Sequence, residues 1–432
     1  MSTVRVRTAD GPVVADVLVP PSKSITNRAL VCAALAEGES EVVGLAPGDD
    51  STAMIDCLEA LGVVIGVAER DGRRVAMVAG TGGDLPAGPI TLNARLAGTT
   101  SRFITAVAAL GRGPYVVDGE APLRTRPMAP LHASLHSLGA VLQHGGEPGR
   151  LPVTVTGPVG GADALMMPGD VSSQYVSALM LIAPLIRDGM RLGLSTKLVS
   201  RPYVEITKSV MESFGATGVE VGERRIHVDE SGYEPTVYDV EPDASSASYP
   251  LAAAAMVGGA VTVRGLGRDS LQGDAVFVDV LERMGCHIVV GDRHTVVMRR
   301  TDEPLGGLHI DMSDISDLVP TMAVLATQAS SATRITGVGF IRKKESDRLG
   351  DLAAELAKTG ASVEVEDDGL VITPVDALHG ARVETHHDHR LAMAFGVLGL
   401  AVAGVEVADP DVVSKSWPDF WDALDAIPAR SS

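Results

Sequence analysis

SITNRALVCAALAEGESEVVGL, residues 24–45, is an Ala-rich apolar run that ends at a turn and passes into a β-branched stretch. The first part reads as a helix buried on most sides and the second as a strand. The pattern recurs along the chain, in SRFITAVAALGRGPYVVDG from Ser101, SQYVSALMLIAPLIRDGMRLGLS from Ser173 and SASYPLAAAAMVGGAVTVRGL from Ser246. DLVPTMAVLATQASSATRITGV from Asp317 and HRLAMAFGVLGLAVAGVEVAD from His389 complete the set. Successive starts lie 77, 72, 73, 71 and 72 residues apart, so six copies of one unit account for the chain.

Each copy holds a second helix of more amphipathic pattern: DDSTAMIDCLEALG, PMAPLHASLHSLG, RPYVEITKSVMESFG, GDAVFVDVLERMG, SDRLGDLAAELAKTG and WPDFWDALDAI. The first five close on Gly62, Gly139, Gly215, Gly285 and Gly360, and each is followed by strand, polar turn and strand. The unit therefore reads as βαβαββ and the fold class as α/β. The sixth helix has no hairpin after it. VRVRTADGPVVADVLV at the N-terminus reads as strand, turn, strand, and is expected to supply that hairpin. Both termini then share a lobe: 1–20 plus 242–432 form one three-repeat lobe and 21–241 an inserted one, with proline-stiffened crossings at Pro20-Pro21 and Glu241-Pro242.

Composition bounds the function. The chain has 432 residues and a formal net charge of −19, with 45% hydrophobic residues. It can fill cores, and it lacks the basic excess that nucleic acids or anionic membranes recruit. No apolar run is long enough to span a bilayer, and the opening MSTVRVRTADG has no apolar leader core. Cys32, Cys57 and Cys286 are widely spaced, which excludes a disulfide framework and fits a reducing, cytoplasmic setting.

The helix starts carry the chemistry. First helices begin at Lys23-Ser24 (with Arg28 following), Gly98-Thr99 (with Arg102), Ser172-Ser173-Gln174, Asp243 with Ser245, Asp317, and Asp388-His389-Arg390; second helices begin near Asp49-Asp50, Arg126, Ser200-Arg201, Asp274, Arg342 to Arg348, and Lys415. Ser and Asp there suit N-caps. Cations in a first turn oppose the helix dipole by roughly 0.3–1 kcal/mol each. Lys23, Arg28, Arg102, Arg126, Lys344, Arg348, Arg390 and Lys415 thus call for a compensating anion, and a repeat that points its helix starts one way gathers them between the lobes. Small, highly charged anions are the expected ligands. There is no GxxxxGK[ST] phosphate loop, and GTGGDL at 80–85 does not open a helix as a dinucleotide fingerprint must. His386, His387 and His389 lack the carboxylate pattern of a metal site.

In order along the whole chain, PPSKSITNR (20–28), AGTTSRF (97–103), GEAPLRTRP (119–127), SSQYVSALM (172–180), SRPY (200–203), PDASSASYPLAAAA (242–255), RKKESDRL (342–349), DHRLAM (388–393) and KSWPDF (415–420) resemble the 5-enolpyruvylshikimate-3-phosphate synthase family of enolpyruvyl transferases. The resemblance implies a two-lobed inverse α/β barrel of six βαβαββ units, three per lobe, closing when shikimate 3-phosphate arrives. It implies transfer of the carboxyvinyl group of phosphoenolpyruvate to the 5-hydroxyl of shikimate 3-phosphate through a tetrahedral addition–elimination intermediate, releasing phosphate. No cofactor and no metal are implied, and the partners are the two small-molecule substrates, with no nucleic acid and no membrane; a monomer is expected.

By the same resemblance Asp317 is the base on the 5-hydroxyl, while Glu345 and Lys23 handle the proton at the enol carbon. Phosphoenolpyruvate falls to Lys23, Gly98, Arg126, Gln174, Arg348, Arg390 and Lys415. Shikimate 3-phosphate falls to Lys23, Ser24, Arg28, Ser172, Ser173, Gln174, Ser200, Asp317 and Lys344. Leu96 and Phe340 depart from the family's pattern, the latter where an Asn or His often meets the shikimate phosphate. The sister family, which uses UDP-N-acetylglucosamine as acceptor, has a loop Cys and a Lys-Asn pair. Here Ser24 follows Lys23 and the stretch from Gly111 to Arg124 has no Cys. A noncatalytic binder on the same scaffold has no need for Lys23, Asp317 and Glu345.

Overall fold

The repeats become visible as sheets in the computed structural model, which describes residues 2–161 and 164–427. Among these residues the strands form six sheets, five of four strands and one of three. All four-stranded sheets share one pattern. A first strand runs parallel to the second, which pairs antiparallel with a hairpin, as in Ile90–Asn93, Tyr115–Asp118, Val153–Thr156 and Val141–His144. Where both parallel strands come from one repeat, as in Ile90–Asn93 and Tyr115–Asp118, the step is bridged by the Ala-rich helix, as a parallel connection requires.

The chain divides into two compact units, Pro21–Glu241 and Met1–Pro20 with Pro242–Ser432. Each contains three sheets and its own buried apolar cluster. In the Pro21–Glu241 unit the helices Lys23–Leu35, Gly98–Ala108 and Ser173–Ile182 pack on one another; in the other unit, Ala244–Val257, Val319–Ala326 and His389–Ala401 do so. These helices are Ala-rich because they are enclosed: every residue from Ile25 to Leu35 is buried, and so is every residue from Ala244 to Met256. The second helices bury one stripe only, as Val204, Ile206, Thr207, Val210 and Met211 show for Arg201–Ser213. Their closing glycines hold φ between 84° and 106°, a region that a Cβ disfavours.

The N-terminal segment differs from its sequence reading. Thr3–Arg5 joins the sixth sheet, antiparallel to Glu406–Ala408. Val13–Val17 does not pair with it but lies parallel to Gly259–Arg264 in the fourth repeat's sheet. Every repeat needs a parallel first strand, and the fourth repeat takes its own from the N-terminus. The first repeat solves the same problem with Val237–Asp239, which pairs parallel with Glu37–Val43. In the Pro21–Glu241 unit that strand comes from the far end of the unit's own sequence, and in the other unit from the segment just before the insertion. The sixth sheet stays at three strands.

Candidate functional site

In the unit holding both termini, the start of His389–Ala401, the 3-10 turns Ser316–Leu318 and Pro410–Lys415, and the loop 342–350 bring charged side chains together. Arg348 is the centre. Its Nη1 donates to Asp317 Oδ1 at 2.8 Å, its Nη2 to Glu345 Oε2 at 2.8 Å and its Nε to Asp388 Oδ2 at 2.7 Å. Arg390 Nη2 donates to Asp317 Oδ2 at 2.8 Å, Lys415 Nζ to Glu345 Oε1 at 3.0 Å, and Lys344 Nζ stands 3.7 Å from Asp317 Oδ1. Arg348 is 2% exposed and Asp388 fully buried. Four cations thus face three carboxylates in a place where a lone charge would be costly.

This packing sets proton affinities. Burial pushes the Asp317 carboxyl upward, but Arg390, Lys344 and Arg348 outweigh it and hold it far below the usual carboxylate range. Burial lowers the Lys344 ammonium, against the opposing pull of Asp317. Asp274, whose Oδ2 accepts from the Ser245 hydroxyl, is buried and feels the charge of Asp317; its carboxyl is pushed up to about 6.

The other unit carries its cations differently. Lys23, first residue of its helix, pairs with buried Asp50 at 2.9 Å. Arg28 is fully enclosed: Nε donates to Thr207 Oγ1 at 2.7 Å, Nη1 to the Ser24 carbonyl at 2.8 Å, and Nη2 to Ser177 Oγ and the Tyr203 carbonyl. All these acceptors are uncharged. Burial lowers this guanidinium to about 10, and the Phe103 ring lies 5.2 Å from it. Gly98 opens its helix between two guanidiniums, since a Cβ there would stand 2.7 Å from Nη1 of both Arg102 and Arg126. Gln174 Nε2 reaches Thr99 Oγ1 at 3.2 Å, beside Gly98. Ser172 caps its helix through Gln174 N, Ser173 is buried behind it, and Ser200 holds a left-handed φ of 51° just before Arg201–Ser213.

One premise of the sequence reading is corrected here. Of the eight cations, Lys23 and Arg390 stand in the first turn of an α-helix; Arg28 and Arg102 lie one turn further in. Arg126, Lys344 and Arg348 lie in loops and Lys415 ends a 3-10 turn, because the helices that follow Arg126 and Arg348 begin only at Ala129 and Gly350. The dipole penalty therefore applies to two residues, and ion pairing governs the rest of the terminal unit's set.

Asp50 and Asp388 stand in the sequence only as helix-start acids, and their pairing with Lys23 and Arg348 is invisible there, because a cap and a counter-ion look alike. Asp388 serves as both, accepting from Arg390 N at 2.9 Å. Phe340 places its ring 5.9 Å from Lys344 Nζ, so the departure residue touches the same cluster. The three histidines face separate partners: His386 meets Glu355, His387 meets Asp409, and buried His389 lies against Asp388. Among the described residues no group of three or more His, Cys, Asp or Glu is disposed to hold a metal ion.

The profile of EPSP synthase (3-phosphoshikimate 1-carboxyvinyltransferase) matches residues 8–424. The 3-phosphoshikimate 1-carboxyvinyltransferase of Methanoculleus marisnigri is 43% identical over 417 residues, covering 96% of this chain and 97% of that relative. The enzyme of that name from a Nostoc species is 40% identical over 422 residues, covering 98% of both. In three dimensions an EPSP synthase structure from Acinetobacter baumannii superposes with a TM-score of 0.80 at 24% identity, covering 98% of each chain, so the two-lobed inverse α/β barrel is shared. With a profile match from near one end to the other and relatives aligned along almost their full length, this chain belongs to the EPSP synthase family.

Proposed function

We propose that the chain performs its family's reaction, transfer of the carboxyvinyl group of phosphoenolpyruvate to the 5-hydroxyl of shikimate 3-phosphate with release of phosphate, in the shikimate route to aromatic amino acids. The observation that carries this reading is the pair of carboxylates, Asp317 and Glu345, that share the buried guanidinium of Arg348.

The chemistry needs a base for the attacking hydroxyl and an acid for the enol methylene. Addition at C2 then gives a tetrahedral adduct, which loses a methyl proton and phosphate. In our reading Asp317 is the base and Glu345, with Lys23, serves the enol carbon. Phosphoenolpyruvate is held by Lys23, Gly98, Arg126, Gln174, Arg348, Arg390 and Lys415. Shikimate 3-phosphate is held by Lys23, Ser24, Arg28, Ser172, Ser173, Gln174, Ser200, Asp317 and Lys344. Arginine forks suit carboxylate and phosphate in direction as well as charge.

These ion pairs give the reading a physical sense. A carboxylate held as weak a base as Asp317 is a poor proton acceptor. The cations that depress it are the ones assigned to the substrates. When phosphate and carboxylate oxygens take up Arg390, Lys344 and Arg348, Asp317 loses part of that stabilisation and becomes a stronger base. The substrates thus activate the group that acts on them.

The same reading makes the enzyme a cytoplasmic monomer. Its three cysteines are free and buried, as suits a reducing compartment. No helix among the described residues is long and apolar enough to cross a membrane. Phosphate release with phosphoenolpyruvate and shikimate 3-phosphate, run beside UDP-N-acetylglucosamine as acceptor, tests the function. Release with the first acceptor alone is expected. Release with the second alone, or with neither, overturns the reading, and gel filtration tests the monomer.

A further inference from the structure

His386 belongs to none of the groups assigned above, yet it joins two of the segments that carry them. Its Nε2 donates to Glu355 Oε1 at 2.9 Å, and its Nδ1 stands 3.7 Å from Asp351 Oδ1. Glu355 is buried, and its other oxygen accepts from Glu384 N at 2.9 Å and from Lys358 Nζ at 2.6 Å. The helix Gly350–Lys358 is thus fastened to the segment 384–388 by two bonds onto one carboxylate. Burial raises that carboxyl, but Lys358, His386 and the Glu384 amide together hold it below its ordinary value.

Both ends of this fastening lead to the charged cluster. Asp351 Oδ2 accepts from Asp347 N at 2.9 Å, and Asp347 Oδ1 accepts from Leu349 N and Gly350 N, which sets the turn that presents Glu345 and Arg348. On the other side, His386 and His387 hold left-handed φ values of 50° and 59°. Two such residues in a row are unfavourable for side chains with a Cβ, and they persist where the surroundings dictate them. The turn they make delivers Asp388 to Arg348 and starts the helix that carries Arg390.

We propose that His386 is a positioning residue for the reaction: its ring clamps the segment before His389–Ala401 to the helix Gly350–Lys358, so that Asp388 and Arg390 meet Arg348 and Asp317 at fixed distances. This rests on the reaction read above. The clamp acts on the Arg348 and Arg390 pair, so its loss falls on phosphoenolpyruvate more than on shikimate 3-phosphate, most of whose assigned contacts lie in the other unit.

The test compares His386→Ala with His386→Gln, whose amide nitrogen can keep the bond to Glu355. His386→Gly, at ease with a positive φ, replaces the Ala variant if that one does not fold. In steady-state phosphate release, His386→Ala is expected to raise KM for phosphoenolpyruvate roughly 10-fold or more and to leave KM for shikimate 3-phosphate within about twofold, since small misplacements of binding groups are costly. His386→Gln is expected to recover most of the loss. Hydrogen exchange in peptides covering 342–351 and 384–390 is expected to quicken in the Ala variant and not in the Gln variant. A wild-type KM and unchanged exchange in the Ala variant overturn the proposal, as does a Gln variant as impaired as Ala. Should the unaltered enzyme release no phosphate, the reaction falls, and the exchange comparison still decides the clamp.

Discussion

Asp388, with no solvent exposure, accepts the Nε–H of Arg348 at 2.7 Å while its other oxygen caps the helix that begins at His389. One side chain therefore neutralises the central guanidinium and fixes the element that carries Arg390. Arg348 keeps Asp317 and Glu345 when Asp388 is removed, but the cluster loses one of three carboxylates and the helix its cap, so the cost is about 2–4 kcal/mol, short of the roughly 3–5 kcal/mol of a stranded charge. Asp388→Ala should lose stability on that scale, read by urea unfolding. A loss below about 1 kcal/mol, the range of ordinary surface substitutions and small perturbations, counts against this role.

Asp317→Asn separates base from binding group. The substitution leaves Arg348, Arg390 and Lys344 in place and removes the carboxylate that pairs with them. Phosphoenolpyruvate should bind as well as before or more tightly by titration calorimetry, while turnover falls ~10²–10⁴-fold, the scale of a lost general base. Undiminished turnover removes Asp317 from the chemistry.

Gly98→Ala tests the close approach in the Pro21–Glu241 unit. The new Cβ meets the ends of two flexible arginines, Arg102 and Arg126, so the fold can yield but the guanidiniums must move. Stability should stay within about 1 kcal/mol, while KM for phosphoenolpyruvate rises roughly 10-fold or more. Arg126→Ala should weaken the same ligand by roughly 2–5 kcal/mol, as truncating a desolvated charge pair does. Unchanged affinity in both variants removes this pair from the binding site.

Asp274 and Asp317 pull stability in opposite directions with pH. The folded-state pKa of Asp317 lies below its unfolded value, so its contribution is present above the unfolded pKa and fades as pH falls toward acid. Asp274 has a raised pKa of about 6, so the folded state binds the extra proton and stability falls as pH rises from about 4 to 6. At pH 7.5 its ionisation costs on the order of 3 kcal/mol. Asp274→Asn, which keeps an acceptor for Ser245, should therefore raise Tm at pH 7.5 and lose most of that gain at about pH 4. An equal effect at both values contradicts the raised proton affinity.

The six repeats and their helix–strand alternation were readable because burial imposes composition. Enclosed helices such as Lys23–Leu35 must be small and apolar, while Arg201–Ser213 shows a single stripe. Strand partners were not readable: VVADV reads as one half of a hairpin, and only the need of Gly259–Arg264 for a parallel neighbour takes it elsewhere. The same holds at the site. Lys23 and Arg390 announce themselves as cations at a positive helix end, but Arg348 and Lys415 sit in irregular segments where no periodicity points to them. Asp50, Asp388 and His386 owe their roles to partners 27, 40 and 31 residues away.

The most direct test of a proton-relaying, addition–elimination site is turnover in D2O with product analysis by proton NMR. If a methyl group forms at the former enol carbon and is deprotonated again, deuterium enters the vinyl methylene of the product. Glu345→Gln should slow that incorporation together with phosphate release. Phosphate released alongside a product whose vinyl group carries no deuterium would show that no such methyl intermediate forms, and the assignment of Glu345 and Lys23 to the enol carbon would fail.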